Sequence, residues 1–169
     1  TIEWVNEAFT TITGYKLSEV ITRKPGDFLQ GNETNLETVS YMHHQIRRRE
    51  PFSCEVLNYH KNGSPYWVRI QAQPLFDSNG RLTQYFAIEE DISDSKRLNI
   101  DINTTNARLR TLVSNLSDGV LLENEHRTIE IINRRFCELF GIDVIPEELY
   151  GADCSQAAEQ SKHLFVDEQ

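Results

Sequence analysis

The fold of this chain is best predicted from residues 52–92, which read FSCEVLNYHKNGSPYWVRIQAQPLFDSNGRLTQYFAIEEDI. Two Asn-Gly pairs, at 62–63 and 79–80, interrupt runs of β-branched and aromatic residues. Asn-Gly is the strongest short signal for a β-hairpin, because both residues accept positive φ angles. The stretch therefore predicts an antiparallel meander of three strands, over residues 52–59, 66–75 and 82–92.

The alternation of side chains along these strands predicts two faces of the sheet. Pro74 cannot donate a sheet hydrogen bond, so it predicts a bulge or a strand end at its position. Both faces are apolar enough to need cover, one from short helices and any ligand, the other from a flanking helix or a second protomer. The first face collects Cys54, Val56, Asn58, Tyr66, Val68, Ile70, Tyr85, Ala87 and Glu89, and the second Leu57, Tyr59, Trp67, Phe86 and Ile88.

An internal repeat flanks the meander. IEWVNEAFTTITGY begins at residue 2 and IEIINRRFCELFGI at residue 129. In each copy a short apolar strand leads into an Asn suited to cap a short helix, and a Gly ends that helix. Between the first copy and the meander, residues 34–37 have the spacing of a capping box and open a further helix. The repeat predicts a second, partial copy of the first domain.

Residues 94–116 carry a heptad pattern. Apolar residues spaced by four and three residues form the seam of a coiled coil, and the Thr at position 105 is the polar exception. The pattern predicts a parallel homodimer held by this helix, with an amphipathic helix lying on its own sheet as the alternative. The expected interface residues are Leu98, Ile102, Leu109, Leu112 and Leu116.

The composition excludes several classes of protein. The 169 residues include 17 Lys and Arg against 26 Asp and Glu, a formal net charge of −9, which argues against a nucleic-acid binder. No apolar run approaches the ~20 residues of a membrane helix, and no signal peptide opens the chain, so we expect no direct membrane insertion. Cys54, Cys137 and Cys154 lack CxxC spacing, which predicts neither a disulfide scaffold nor a metal site and favours a cytoplasmic protein.

Four groups of motifs together resemble the PAS domain family, close to its light-oxygen-voltage (LOV) branch. They are Val5-Asn6-Glu7-Ala8-Phe9 with Thr13-Gly14-Tyr15, Asp27-Phe28-Leu29-Gln30-Gly31, Leu57-Asn58-Tyr59-His60-Lys61-Asn62-Gly63 with Tyr66-Trp67, and Glu90-Asp91-Ile92-Ser93. The resemblance implies an α+β fold, an antiparallel five-stranded sheet with short helices on one face, plus a long coiled-coil linker helix. It implies three parts: a PAS domain over 1–93 whose first strand is missing or upstream, a helical signalling linker over 94–116, and the N-terminal part of a second PAS domain over 117–169.

The resemblance also implies a role in signalling. PAS domains similar to this one stand upstream of a histidine kinase or a diguanylate cyclase. We therefore expect a non-catalytic sensory module of a larger bacterial-type sensor, most simply a histidine kinase, that relays a signal to a C-terminal output domain of the same chain. The alternatives are a flavin-binding light or redox sensor, and the PAS module of a diguanylate cyclase. No nucleophile–base set or phosphate-binding Gly loop appears, so no catalytic residue is assigned.

The cofactor expectation depends on where this chain departs from the LOV pattern. LOV domains bond a flavin to the Cys of an Asn-Cys-Arg-Phe-Leu-Gln run, and here that position holds Gly26 or Pro25, neither of which has a thiol. The departures lead us to expect no cofactor, neither flavin nor haem.

The polar contacts of a LOV flavin come from Gln and Asn side chains. Gln30 and Asn58 match that pattern, whereas Val68 stands in place of an Asn and Glu89 in place of a Gln. Val68 cannot form a hydrogen bond with its side chain. These four residues are the candidate pocket for a small-molecule ligand.

Overall fold

The computed structural model describes residues 1–154, which divide after Asn99 into two compact units. The first unit opens with four helices: α1 (Glu7–Thr13), α2 (Leu17–Val20), α3 (Gly26–Leu29) and α4 (Leu36–Arg48). The Asn6 side chain caps α1 by accepting from the Phe9 amide at 3.0 Å, and Gly14 ends it at φ 77°. The cap and stop predicted for the first repeat are therefore confirmed.

The cap of α4 lies one residue later than the capping-box spacing indicates. The Asn35 side chain accepts from the Thr38 amide at 2.9 Å. Thr34 is buried instead, and its hydroxyl donates to the Leu57 carbonyl at 2.7 Å. Thr34 thus attaches the start of the helix to the sheet.

Three antiparallel strands follow: β1 (Phe52–Tyr59), β2 (Pro65–Phe76) and β3 (Leu82–Asp91), in the order β1-β2-β3. The predicted meander is confirmed. Pro74 stays in the ladder opposite Tyr85, and the irregularity comes one residue later, between Leu75 and Phe76. Pairing with β1 ends at Ala72, so Pro74 occupies a part of β2 that is paired on one side only, where Pro is tolerated.

The α+β class with an antiparallel sheet is confirmed, but the number of strands differs from five. Within the described residues the sheet of the first unit has three strands. Of the strand expected before Asn6, only Ile2 pairs, in an isolated parallel bridge to Ile21. The remaining residues of that segment have no neighbouring strand in the described part of the chain to continue the ladder.

The core of the first unit lies between α4 and one face of the sheet. Met42 packs there with Val56, Tyr66 and Val68, and Ile12 of α1 joins them. The register pairs Val56 with Val68 and Cys54 with Ile70, so the face predicted to carry Cys54, Asn58, Val68 and Glu89 is the inner one.

Helix α5 runs over Ser93–Ser114. The seam residues within it are exposed: Leu98 by 62%, Ile102 by 56%, Leu109 by 49% and Leu112 by 65%. Leu116 lies two residues past the last residue of the helix, where the Asn115 amide donates to the Leu112 carbonyl at 3.2 Å in a tighter turn.

The second unit contains strands β4 (Leu121–Glu123) and β5 (Ile129–Ile132), helix α6 (Arg134–Leu139) and a 3₁₀ helix (Pro146–Leu149). The strands form an antiparallel pair, and Ile129, Ile132, Cys137 and Cys154 form the core. The part of the predicted second PAS domain from 155 to 169 lies outside the described residues. Among the residues described, every helix is too short or too polar to cross a membrane.

Candidate ligand site and helix junction

The inner face of the sheet brings three of the four predicted pocket residues together. Asn58 is buried on β1 opposite Tyr66, and Val68 is fully buried on β2. Glu89 lies on β3 opposite Ile70, two residues along β2 from Val68. The side chains of Asn58, Val68 and Glu89 therefore share one face of three neighbouring strands.

Gln30, the fourth predicted residue, lies at the C-terminal end of α3 rather than on the sheet. Its side-chain amide lies 3.2 Å from where a Cβ at Gly26 would be. Gly26, one of the two positions that correspond to the reactive Cys of LOV domains, is thus close to Gln30. Helix α3 packs against β1, as α4 does.

Two buried polar atoms on the inner face have no hydrogen-bond partner among the residues that the structure describes. They are the Tyr66 hydroxyl oxygen and the Glu89 Oε2. Burial raises the pKa of Glu89, and burial together with the nearby Glu89 carboxyl raises the pKa of Tyr66. The Asn58 side chain, across the β1–β2 pair, lies close enough to the Tyr66 hydroxyl to offset part of the rise in the Tyr66 pKa, although the two groups do not reach full hydrogen-bond geometry. Burial thus favours the neutral form of both groups.

This face has the composition of a ligand site: a mainly apolar wall with a few convergent polar groups. Val56, Val68 and Ile70 provide the wall. A neutral carboxyl both donates and accepts hydrogen bonds, as a carboxamide does. Glu89 can therefore form the same kinds of hydrogen bond as the Gln of the LOV pattern. The polar groups present therefore match the hydrogen-bonding edge of a planar ring such as a flavin, although Val68 adds no polar contact and Met42 of α4 packs over Val56 and Val68.

The cysteine thiols in the described part of the chain are buried or half-buried and are not activated as nucleophiles. Pro25 precedes α3 and Gly26 begins it, so this helix offers no thiol for a covalent bond. Cys54, Cys137 and Cys154 are free, and burial raises the pKa of each. A raised pKa keeps a thiol protonated and weakly nucleophilic.

The outer face of the sheet carries a row of charges. Arg69 on β2 binds Glu55 of β1 at 2.9 Å and Glu90 of β3 at 3.1 Å. Lys96 of α5 adds to it, because its Nζ lies 2.7 Å from the other Glu55 oxygen and 4.8 Å from the centre of the Trp67 ring. The first turn of α5 is therefore attached to the outer face.

The start of α5 is also hydrogen-bonded to the backbone of β2. The Ile92 amide donates to the Trp67 carbonyl at 2.9 Å, and the Trp67 amide donates to the Ser93 hydroxyl at 2.9 Å. Trp67 lies between Tyr66 and Val68, which face the opposite side of the strand. One short segment of β2 thus touches both the ligand site and the start of the helix.

In the second unit Asn133 joins the end of α5 to the strands. It is 1% exposed, and its amide donates to the carbonyls of Val113 at 3.1 Å and Asp118 at 2.9 Å. Its side-chain oxygen accepts from the Val120 and Phe136 amides, each at 2.9 Å. The predicted cap of α6 is confirmed, and the same side chain also connects three other parts of the unit.

Sequence reasoning missed Tyr66, Lys96 and the additional bonds of Asn133. The strand alternation placed Tyr66 on the pocket face, and a Tyr among apolar neighbours there is the signal that could have marked it. Lys96 carried no such signal, because its partners Glu55 and Trp67 are remote in sequence.

The comparisons with known proteins agree with this geometry. A family model for a PAS domain matches residues 1–94, and a second PAS domain model matches residues 107–168. The chain is 34% identical over 92 residues to a blue-light-activated histidine kinase of Brucella anthropi, an alignment that covers 54% of this chain and 18% of that protein. It is 32% identical over 93 residues to blue-light-activated histidine kinase 1 of Erythrobacter litoralis, covering 55% of this chain and 26% of that protein.

A solved structure described as "Flavin Analogue Sheds Light on Light-Oxygen-Voltage Domain Mechanism" aligns with a TM-score of 0.54 at 32% identity. The alignment covers 63% of this chain and 78% of that one. The sequence resemblance to the LOV branch is therefore confirmed. The chain spans only about a quarter or less of the length of these two kinases.

These similarities contradict the expectation that the chain takes no cofactor, because the matched domain is described through a flavin analogue and the matched kinases are activated by blue light. The expectation gave too much weight to Pro25 and Gly26. A thiol there decides whether a covalent bond can form, whereas non-covalent binding depends on the shape of the pocket and on its polar groups. A neutral Glu89 carboxyl is able to supply such a group.

Proposed function

Because this chain belongs to the PAS domain family, we propose that it is a sensory module of a larger histidine-kinase sensor and that it binds a flavin on the inner face of its first unit. The observation that carries the proposal is the position of Trp67, whose neighbours Tyr66 and Val68 face the ligand site while its own backbone binds the start of α5. The blue-light-activated kinases among the relatives support a histidine kinase over a diguanylate cyclase as the parent protein.

The flavin, when bound, supplies absorption of blue light and the ability to take up electrons. The chain's own part is to bind and orient the ring: Val56, Val68 and Ile70 exclude water from one side, and Asn58 offers an amide at the edge. Gln30 belongs to the same proposed site from the side of α3. Without a thiol at Pro25 or Gly26, the signal has to be a change in hydrogen bonding or packing on this face.

A change on the inner face reaches α5 through β2. A shift of Tyr66 or Val68 moves the peptide groups on either side of Trp67, and those groups hold Ile92 and Ser93. Lys96 would respond as well, because it lies over the Trp67 ring. The helix start thus has two discrete arrangements, attached or released, and the state of the ligand shifts their populations.

We place the three functional parts at residues 1–93, 94–116 and 117–169: the sensor, the linker and part of a second PAS domain. In the linker, burial of the exposed seam Leu98, Ile102, Leu109 and Leu112 against a second copy would stabilise a parallel dimer. This segment would be non-catalytic and cytoplasmic, and would pass its signal to an output domain further along the parent chain.

Flavin binding is tested by mixing the purified chain with flavin mononucleotide (FMN) and separating bound from free dye by size exclusion. We expect the blue absorption band of oxidised flavin to co-elute with the chain and to leave it when the protein is unfolded in urea. Elution of the chain without the band would contradict the proposal.

A further inference from the structure

Two turns of the first unit share the same backbone arrangement. One joins β1 to β2 through Asn62-Gly63, and the other joins β2 to β3 through Asn79-Gly80. The glycine has a positive φ in both turns, 87° at Gly63 and 74° at Gly80. Its amide donates to the carbonyl three residues back, at 2.8 Å in the first turn and 3.0 Å in the second. Both Asn residues are exposed, so the two turns differ mainly in how their side chains are held.

The Asn62 side chain is fixed within its turn. Its Oδ1 accepts from the Ser64 amide at 2.9 Å and from the Ser64 hydroxyl at 2.7 Å. The Asn62 carboxamide therefore has to break two hydrogen bonds before it can rotate.

The Asn79 side chain lacks this restraint, and Asp77 is the reason. The Arg81 amide corresponds in position to the Ser64 amide, but it donates to Asp77 Oδ1 at 2.8 Å. The same oxygen accepts from the Asn79 amide at 2.9 Å. Among residues 1–154 the Asn79 carboxamide has no hydrogen-bond partner, because the amide that would hold it is already bound to Asp77.

An Asn side chain that rotates freely before a glycine can react with its own backbone. The glycine nitrogen attacks the Asn Cγ, the bond between Cγ and the side-chain nitrogen breaks, and ammonia leaves with the glycine amide proton. Water then opens the cyclic imide at one of its two carbonyls, which gives Asp or isoaspartate. Glycine hinders the attack least because it lacks a Cβ, and the space where a Cβ would lie at Gly80 is open. Since the glycine amide is bound in the same way in both turns, the Asn side chain decides the difference.

We propose that Asn79 is a site of spontaneous deamidation in the folded chain and that Asn62 is protected from the same reaction. Either product places a new carboxylate two residues from Asp77. Isoaspartate also inserts an extra carbon into the backbone of the turn between β2 and β3. The proposal is independent of the proposed flavin site.

The test is incubation of the purified chain in mildly alkaline buffer, followed by peptide mapping with mass spectrometry. Asn79 should convert at least about fivefold faster than Asn62, since hydrogen bonds of ordinary strength account for a factor of this size. An isoaspartyl methyltransferase should label the Asn79 peptide. In the urea-unfolded chain the two rates should become similar, because both residues precede a glycine.

Substitutions at Asp77 test the cause of the difference. Asp77→Ala releases the Arg81 amide to bind Asn79 Oδ1, so deamidation of Asn79 should slow about threefold or more. Asp77→Asn is the matched control, because it removes the charge but keeps an acceptor for the Arg81 amide, and Asn79 should convert as fast as in the wild type. Ser64→Ala should accelerate the reaction of Asn62, because one of its two hydrogen bonds is lost.

The rates in the wild type decide the proposal even if a variant folds poorly. Equal rates at Asn79 and Asn62 in the folded chain, or a difference that persists in urea, would overturn it. Protection of Asn79 in Asp77→Asn as strong as in Asp77→Ala would show that charge and not hydrogen bonding controls the rate. Acceleration at Asn79 in Asp77→Ala would refute the role assigned to Asp77.

Discussion

Glu89 can donate a hydrogen bond only while its carboxyl is protonated. Its pKa is raised by burial, so the folded chain holds this proton to higher pH than the unfolded chain does. Stability from this source is fully present below the ordinary pKa of 4.5 and is lost as the pH rises through the folded-state value. The hydroxyl of Tyr66, the titratable group that interacts with it on this face, stays neutral throughout because its own pKa is raised.

Replacing Glu89 by Gln should therefore change how stability depends on pH. Above pH 4.5, until the folded-state pKa is passed, the wild type should lose up to about 1.4 kcal/mol of unfolding free energy per pH unit relative to Glu89→Gln. Urea unfolding of both proteins across this range measures the difference. Parallel curves for the two proteins would show that the Glu89 carboxyl titrates normally.

Asn6 and Asn133 hold equivalent positions in the internal repeat, but their energetic contributions should differ. Asn6 is exposed and makes one capping bond, whereas Asn133 is buried and makes four hydrogen bonds. Asn6→Ala should cost about 1 kcal/mol of unfolding free energy, the usual value for a lost cap. Asn133→Ala should cost about 3 kcal/mol, because buried backbone groups lose their partners as well. If urea unfolding showed the same loss of unfolding free energy for Asn6→Ala and Asn133→Ala, the larger contribution of Asn133 would be refuted.

The sequence predicts both Asn caps because capping is a local property, decided by residues three positions apart. The Asn133 bonds to Val113 and Asp118 depend on contacts 15 to 20 residues away. Tyr66 illustrates the same limit. Its position on the pocket face follows from alternation, but its lack of a partner depends on how the helices pack over it.

The strands are the elements that the sequence predicts best. Asn-Gly turns and period-two alternation fix β1 to β3 within one residue at each end, because both signals are local. Pro74 is different, since its effect on the ladder depends on where β1 begins. The start of α4 is a similar case, because Thr34 binds Leu57 of β1 and leaves the cap to Asn35.

The attachment of α5 to the sheet should depend on Lys96. Lys96→Met removes both the ion pair with Glu55 and the contact with the Trp67 ring, so amides in the first turn of α5 should exchange with deuterium about two- to fivefold faster. Arg97→Met is the matched control, because Arg97 only meets the exposed Asp94 at 3.6 Å. Equal exchange rates in the two variants would exclude Lys96 as an anchor of the helix.

The whole molecule is a PAS chain of two compact units in which α5 crosses from one unit into the next. The internal repeat predicts this organisation, because the same strand, cap and helix pattern recurs. The cofactor was predicted wrongly, since affinity for a ring depends on an assembled surface and not on one residue type. Glu89 in place of a Gln suggested that a hydrogen bond to the flavin was lost. Burial favours the neutral carboxyl of Glu89, which donates and accepts hydrogen bonds as a Gln amide does.

The exposed seam of α5 predicts the state of association. Leu109→Asp combined with Leu112→Asp should convert a dimer into a monomer, because each change places a charge in the seam. Ile100→Asp is the matched control: Ile100 is 63% exposed on the same helix but lies off the seam, so the dimer should persist. Size exclusion with light scattering decides between the two states. A wild type that is monomeric at tens of micromolar would refute the predicted dimer.

The coupling between the ligand site and α5 can be measured directly. The FMN-loaded chain is compared with oxidised and with chemically reduced flavin, and deuterium exchange is followed at the amides of residues 92–99. We predict that exchange there changes with the state of the flavin, and that Lys96→Met reduces the difference because the helix start is already more weakly attached. Identical exchange in the two flavin states of the wild type would contradict the claim that β2 couples the ligand site to α5.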